Sequence, residues 1–395
     1  MASSRSFLLL CFVGFGCFIS YDLVRRPALA LFAESLGAKP LIIGLIVSLS
    51  TVTGIFLKLP IGAMSDILNR RRLMVGGLLA FALPPFVYPL VSDLPALGTL
   101  RLFHGLATAV FTPLALATVA ETFAQRRGEA LGWYASATQG GGLLGPVLGG
   151  FLVFTIGFPS TFMTAGVIGV LSVLLFFLIP KQETAKQRKA QSFRHMMKEF
   201  RNGLAGVVKH SGILATGGAE AAKMMANGTL MAFLPLYGIS IGLNPAEIGV
   251  LFGIQALTSL MSKPIMGRVS DRVGREPLIL LGLCCCGGMI ISMPHTEMYI
   301  LLLTFAAGFG FGEAVVTSSS AALIADLSQA QSIGAAMGLR GTIMDIGHAG
   351  GPLLAGFLIG QFSYLGGFAV VGAIQFLAAL IFGIIIVGIR KPAVL

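Results

Sequence analysis

Gly62-Ala-Met-Ser-Asp66-Ile-Leu-Asn69-Arg70-Arg71-Arg72 lies between two apolar runs, and Gly267-Arg-Val-Ser-Asp271-Arg-Val-Gly274-Arg275 lies in the same setting 205 residues later. Each copy has a glycine, an aspartate four residues on, a turn residue three further, and then arginine. A spacing kept across half the chain predicts two related halves. The register extends outward: at the same offset Pro40 matches Pro245, Gly44 matches Gly249 and Glu121 matches Asp326. After one inserted residue the offset is 206, and Gly145-Pro146 then match Gly351-Pro352.

Composition sets the solvent. The chain has 395 residues, of which 55% are hydrophobic and 11% charged, and its mean hydropathy is +0.89. A spanning helix needs about 20 mostly apolar residues, and this chain has enough such runs to be a polytopic membrane protein. Barrel strands alternate apolar and polar residues. These runs are continuously apolar and rich in Leu, Gly and Ala, so helices are expected. Twelve spans are predicted, at roughly 6–33, 41–64, 73–92, 96–119, 130–153, 158–180, 211–238, 246–268, 277–295, 297–322, 332–360 and 363–389. The fold class is therefore all-α: twelve transmembrane helices in two pseudo-symmetric six-helix bundles. The predicted domains are 1–180, a basic linker 181–209, and 210–395.

The net charge of +11 does not indicate nucleic acid, because the basic residues gather in short loops between apolar runs and no aromatic-interleaved basic face exists. They act instead as topology signals. With the N-terminus inside, the inner loops hold Arg70–Arg72, Arg126–Arg127, the linker, Arg272 and Arg275, and the tail Arg390-Lys391. Both termini are thus expected in the cytoplasm of a plasma or bacterial inner membrane. The N-terminal run follows Arg5 and could pass for a signal peptide, but no small-residue cleavage site follows; it reads as the first span. Cys11, Cys17 and Cys284–Cys286 all fall inside apolar helices. Consecutive helical residues point about 100° apart, so the triplet cannot converge on one metal.

With these motifs in place, the whole chain resembles the major facilitator superfamily. Gly62, Asp66, Arg70 and Arg71, with Gly267, Asp271 and Arg275 in the second copy, look like its signature loop. Ile67 and Asn69 depart from the usual basic residue and glycine there. Asn69 is the best non-glycine choice for a left-handed turn. Leu100-Arg101-Leu-Phe-His104-Gly105 resembles the family's buried-arginine motif. Gly141-Gly-Leu-Leu-Gly145-Pro146-Val-Leu-Gly149-Gly150 resembles the motif of exporters that exchange substrate against protons. There glycines admit a neighbouring helix and proline permits a bend. The resemblance implies alternating access, helices 1, 4, 7 and 10 lining the path, and a role for Arg101 in controlling proton exchange with a nearby carboxylate.

An ionisable group near the bilayer centre is costly unless paired or hydrated, so each is a candidate site. Asp22, Arg25 and Arg26 share a helix face by spacing, and an internal ion pair with snorkelling arginines is the plainer reading. Asp22 is the expected partner of Arg101. His104 shares the face of Arg101 and is expected to be a packing residue before a proton carrier. Glu220 and Lys223 are spaced for self-pairing, and Asn227 stands at the repeat position of Asp22. Glu313, Arg340, Asp345 and His348 complete the set, with Gln139, Trp133 and Tyr134 as weaker candidates for substrate contact. The mixed signs allow organic anions, zwitterions or amphipathic lipids.

The expected function is secondary active transport, as proton-coupled efflux of a small amphipathic organic compound. Uptake by symport is the alternative, and a divalent-metal exporter a more distant one, opposed by the nearby cations. No enzyme activity, cofactor or nucleic-acid partner is expected. The proton gradient supplies the energy, and a monomer suffices. No phosphate-binding lysine loop argues for an ATP-driven pump. A nutrient receptor of transporter shape would ordinarily need a signalling tail beyond Arg390.

Overall fold

A computed structural model describes residues 2–64, 69–180, 210–328 and 333–390. Asp66, the whole of the expected linker 181–209 and Lys391 lie outside the described residues. Among the described residues the chain forms twelve long helices and no strand. The helices α1 (2–35), α2 (Pro40–Met64), α3 (Arg70–Leu90) and α4 (Leu94–Thr122) come first. A 51-residue helical stretch, Arg127–Phe177, is broken at Gly157, where φ is +74°. That break gives α5 (127–156) and α6 (158–177). The second half contains α7 (Ser211–Ser240), α8 (Pro245–Val273), α9 (Arg275–His295), α10 (Tyr299–Leu327), α11 (Ile333–Gln361) and α12 (Tyr364–Arg390).

Ten helical stretches among the described residues are long and apolar enough to cross a membrane, counting Arg127–Phe177 once. α7 is not among them, and it carries Glu220, Lys223 and Asn227. Those polar groups are buried, so α7 turns its polar face to protein and α7 completes the twelve.

Helix starts follow from local chemistry. Asp93 caps α4 by accepting from the Ala96 amide at 2.8 Å. Asn244 and Glu247 form a reciprocal capping box at α8, at 3.0 and 2.8 Å, which satisfies two amides a helix start would otherwise orphan. The two signature loops enter their third helices differently. Gly274 takes a φ of +105°, which favours glycine. Asn69 was expected to imitate that left-handed turn and does not: its φ is −63° and its side chain caps α3 by accepting from the Arg72 amide at 3.2 Å. A capping side chain opens the helix directly.

α1 also corrects an expectation. It is helical to Leu23, then passes through a wide turn at Val24–Ala28 before resuming at Leu29–Ser35. Arg26 has φ −141° and ψ 122°, because the ring of Pro27 pushes the residue before it out of helical space. Asp22 and Arg26 therefore do not share a helical face.

The described chain forms two compact units. The first comprises 2–38, 49–180 and Gly238–Gly253, the second Lys39–Ser48, 210–237 and 254–390. The first has an aromatic core around Tyr21, Phe81, Phe111, Tyr134 and Phe176. The core of the second is built on Ile279, Leu283, Val316, Leu323 and Phe382.

Candidate functional site

In the first unit the site is built around a fully buried arginine. Arg101, on α4, has 0% of its surface exposed. Its Nη2 donates to Ser50 Oγ of α2 at 2.5 Å, and its Nη1 donates to Tyr88 Oη and to His104 Nδ1, each at 3.3 Å. Tyr88 Oη stands 3.0 Å from the same His104 nitrogen. A guanidinium only donates, so His104 Nδ1 must accept and the ring proton belongs on Nε2. Tyr88 then accepts from Arg101 and donates to His104. The imidazole lies edge-on to Tyr21, with ring centroids 4.8 Å apart, and Arg25 lies 5.5 Å from that tyrosine's centroid.

Asp22 was the expected partner of Arg101. Among the described residues, Arg101 directs its hydrogen bonds to three neutral groups, and Asp22 is not one of them. Asp22 is instead buried against α5. A Cβ added at Gly145 would lie 2.9 Å from Asp22 Cβ and 3.0 Å from the Ile19 carbonyl. Only glycine lets the two backbones approach this closely. The carboxylate stays within the electrostatic reach of Arg26, Arg25 and Arg101. His104 is placed as an acceptor for Arg101 and Tyr88.

In the second unit the centre is a carboxylate. Glu220 on α7 has 0% exposure. Arg340 Nη2 of α11 donates to its Oε1 at 2.6 Å, and Ser320 Oγ of α10 donates to the same oxygen. Lys223 Nζ lies 3.1 Å from Oε2, as its spacing suggested, and donates to Thr317 Oγ1 at 3.0 Å. Oε2 has no partner of good hydrogen-bond geometry, so the Lys223 contact is an ion pair without alignment. Arg340 on α11 thus joins Glu220 on α7. Lys263 on α8 lies within electrostatic reach of Glu313 on α10, and of Lys223 and Glu220.

The remaining candidates scatter. His348 and Asn227 are buried, and Gln139, Glu313 and Asp345 are half-buried. Trp133 is 65% exposed and points away from the core. Tyr134 is buried, and its hydroxyl has no partner. Among the described residues no three His, Cys, Asp or Glu side chains converge as metal ligands.

The signature loops supply a third pair of contacts. Arg70 holds Glu121 through two hydrogen bonds, at 2.6 and 3.0 Å. Arg71 donates to the Ile179 carbonyl at 2.7 Å. Its repeat counterpart region has Arg275 donating to Asp326 at 3.2 Å, to Ser270 at 3.2 Å, and to Asp271.

Sequence reading missed Ser50, Tyr88, Tyr21, Thr317, Ser320 and Lys263. Lys263 could have been found, because Lys58 precedes it by the same 205 residues. Nothing local marks Tyr88, which lies in the tight turn Tyr88–Leu90 that ends α3.

Comparison with known proteins agrees with this architecture. An MFS-type transporter of Methanocaldococcus jannaschii is 24% identical over 333 residues, covering 84% of this chain and 86% of that protein. The multidrug resistance protein MdtG of Dickeya zeae is 25% identical over 379 residues, covering 92% and 91%. A bacterial homologue of the human lysosomal transporter Spinster, solved inward-facing and occupied, superposes with a TM-score of 0.80 at 14% identity, covering 97% of this chain and 96% of that one. The nucleoside transporter NupG gives 0.75 at 14% identity, with 96% and 99% covered. These two structures show a shared fold. The family model described as Major Facilitator Superfamily matches residues 7–219 and again 216–394, and the chain belongs to that superfamily.

Proposed function

We propose that this transporter exports a small organic compound in exchange for protons, using alternating access between bundles 1–180 and 210–395 joined by the basic linker 181–209. The observation that carries the reading is Asp22 packed against Gly145 of the Gly–Pro stretch in α5, within the field of Arg25, Arg26 and Arg101. A buried carboxylate there can take up a proton, since burial favours its neutral form. Releasing it restores an anion that the arginines stabilise. The relatedness to multidrug resistance proteins over nine-tenths of both chains supports export.

In this reading both termini face the cytoplasm of an inner membrane, and a monomer carries the full path. The proton gradient is the energy source and no cofactor takes part. Arg70–Glu121 and Arg275–Asp326 brace the inner helix ends, away from the substrate.

The test is transport in proteoliposomes under an imposed pH gradient, with anionic, zwitterionic and cationic compounds as cargo. Movement of cargo against protons, abolished by a protonophore, is expected. Transport insensitive to the gradient and to the protonophore would overturn proton coupling.

A further inference from the structure

We propose that Arg340 and Lys223 form a binding site for the anionic group of an organic substrate, carboxylate or sulfonate in chemistry. The inference rests on the transporter reading and adds the substrate's charge to it. It starts from an imbalance. One carboxylate, Glu220, is in contact with two cations, at 2.6 Å to Arg340 and 3.1 Å to Lys223. One positive charge is left over within membrane-spanning helices, where an unbalanced charge costs several kcal/mol. Lys263 lies within electrostatic reach of the cluster as well as of Glu313. The ion pair of Arg340 is made with Glu220.

The donor inventory points the same way. A guanidinium offers five N–H groups and an ammonium three. Among the described residues, Arg340 Nε is a buried donor without a hydrogen-bond partner, so the guanidinium has an N–H to spare for an incoming anion. Arg340 is also the most exposed of the triad: 14% of its side chain, against 1% for Lys223 and 0% for Glu220. An approaching anion therefore meets Arg340 first.

The cluster is not a requirement of the fold. At the repeat positions of Glu220, Lys223 and Arg340, the first unit has Phe15, Phe18 and Tyr134. Those three positions of the first unit carry no charged side chain. A buried ion pair is weak evidence for stability, since apolar residues of similar volume often serve as well. What the charged version adds is affinity for charge. Planar, bidentate recognition of carboxylate-like groups is the chemistry arginine suits best.

The experiment measures thermal unfolding of the full chain in lipid nanodiscs, with no gradient applied. The probes are naphthalene-2-carboxylate, naphthalene-2-sulfonate and decanoate, against naphthalene-2-carboxamide, decanamide and decyltrimethylammonium. We expect a saturable rise in Tm with at least one anion and none with the neutral or cationic probes. Arg340→Gln should weaken that binding at least about tenfold, and Arg340→Lys should keep part of it. Arg340→Gln leaves Glu220 paired to Lys223; Lys223→Gln leaves Glu220 paired to Arg340 and serves as the second variant, the cooperative unfolding transition of each reporting its fold. No binding by any anion, equal binding of the uncharged or cationic analogues, or anion binding unchanged in both variants would each overturn the inference. Anion binding without gradient-driven transport would overturn the exchange mechanism and leave this site standing.

Discussion

Arg70 and Glu121 are joined by two parallel hydrogen bonds, at 2.6 and 3.0 Å, across 51 residues of sequence. Arg275 and Asp326, also 51 residues apart, make the related contact at 3.2 Å. Each pair ties the start of a third helix to the end of a fourth, so the repeat preserves an interaction as well as a spacing. Glu121 is 64% exposed, and exposed pairs contribute little to stability, about 0–1 kcal/mol. A double-mutant cycle of Arg70→Gln and Glu121→Gln, read by thermal unfolding, should give a coupling below about 1 kcal/mol. Transport rate should fall more than that coupling implies, because the pair acts on conformation. A coupling well above this value would make it a stability element instead.

Gly145 sits where α5 meets α1, and a Cβ there would strike Asp22 and the Ile19 carbonyl. Gly145→Ala should destabilise by about 1–3 kcal/mol, the usual cost of overpacking, measured by thermal unfolding in detergent. It should also impair transport by displacing Asp22. Gly76, with nothing within 4 Å of an added Cβ, is the control: Gly76→Ala should leave both unchanged.

Tyr88→Phe removes the hydroxyl that bridges Arg101 and His104. Leaving a buried donor of Arg101 short of an acceptor, and His104 Nδ1 short of a donor, should cost about 1–3 kcal/mol. Arg101→Lys keeps the charge but cannot reach Ser50, Tyr88 and His104 together, so at least about tenfold loss of transport is expected with the fold retained. Full transport by Arg101→Lys would show that charge alone suffices there.

The sequence made the membrane class, the twelve helices and the repeat legible, because hydropathy and spacing are carried by many residues at once. It also placed Glu220 beside Lys223, a contact local to one helix turn. It did not reveal that Arg340 closes the same carboxylate from 120 residues away, since no local pattern encodes a contact between α7 and α11. The face shared by Asp22 and Arg26 failed for an identifiable reason: Pro27 dictates the backbone of the residue before it. Arg101's choice of neutral partners over Asp22 depends on where Tyr88 and Ser50 land, which helical periodicity does not report.

The most direct test of the account compares wild type with Asp22→Asn in proteoliposomes. Two measurements are made on each: accumulation driven by a pH gradient, and exchange of labelled for unlabelled substrate without a gradient. The account predicts that Asp22→Asn loses gradient-driven accumulation while keeping exchange, because the path and the fold survive and only the exchangeable proton is gone. Gradient-driven accumulation at the wild-type level in Asp22→Asn would contradict it.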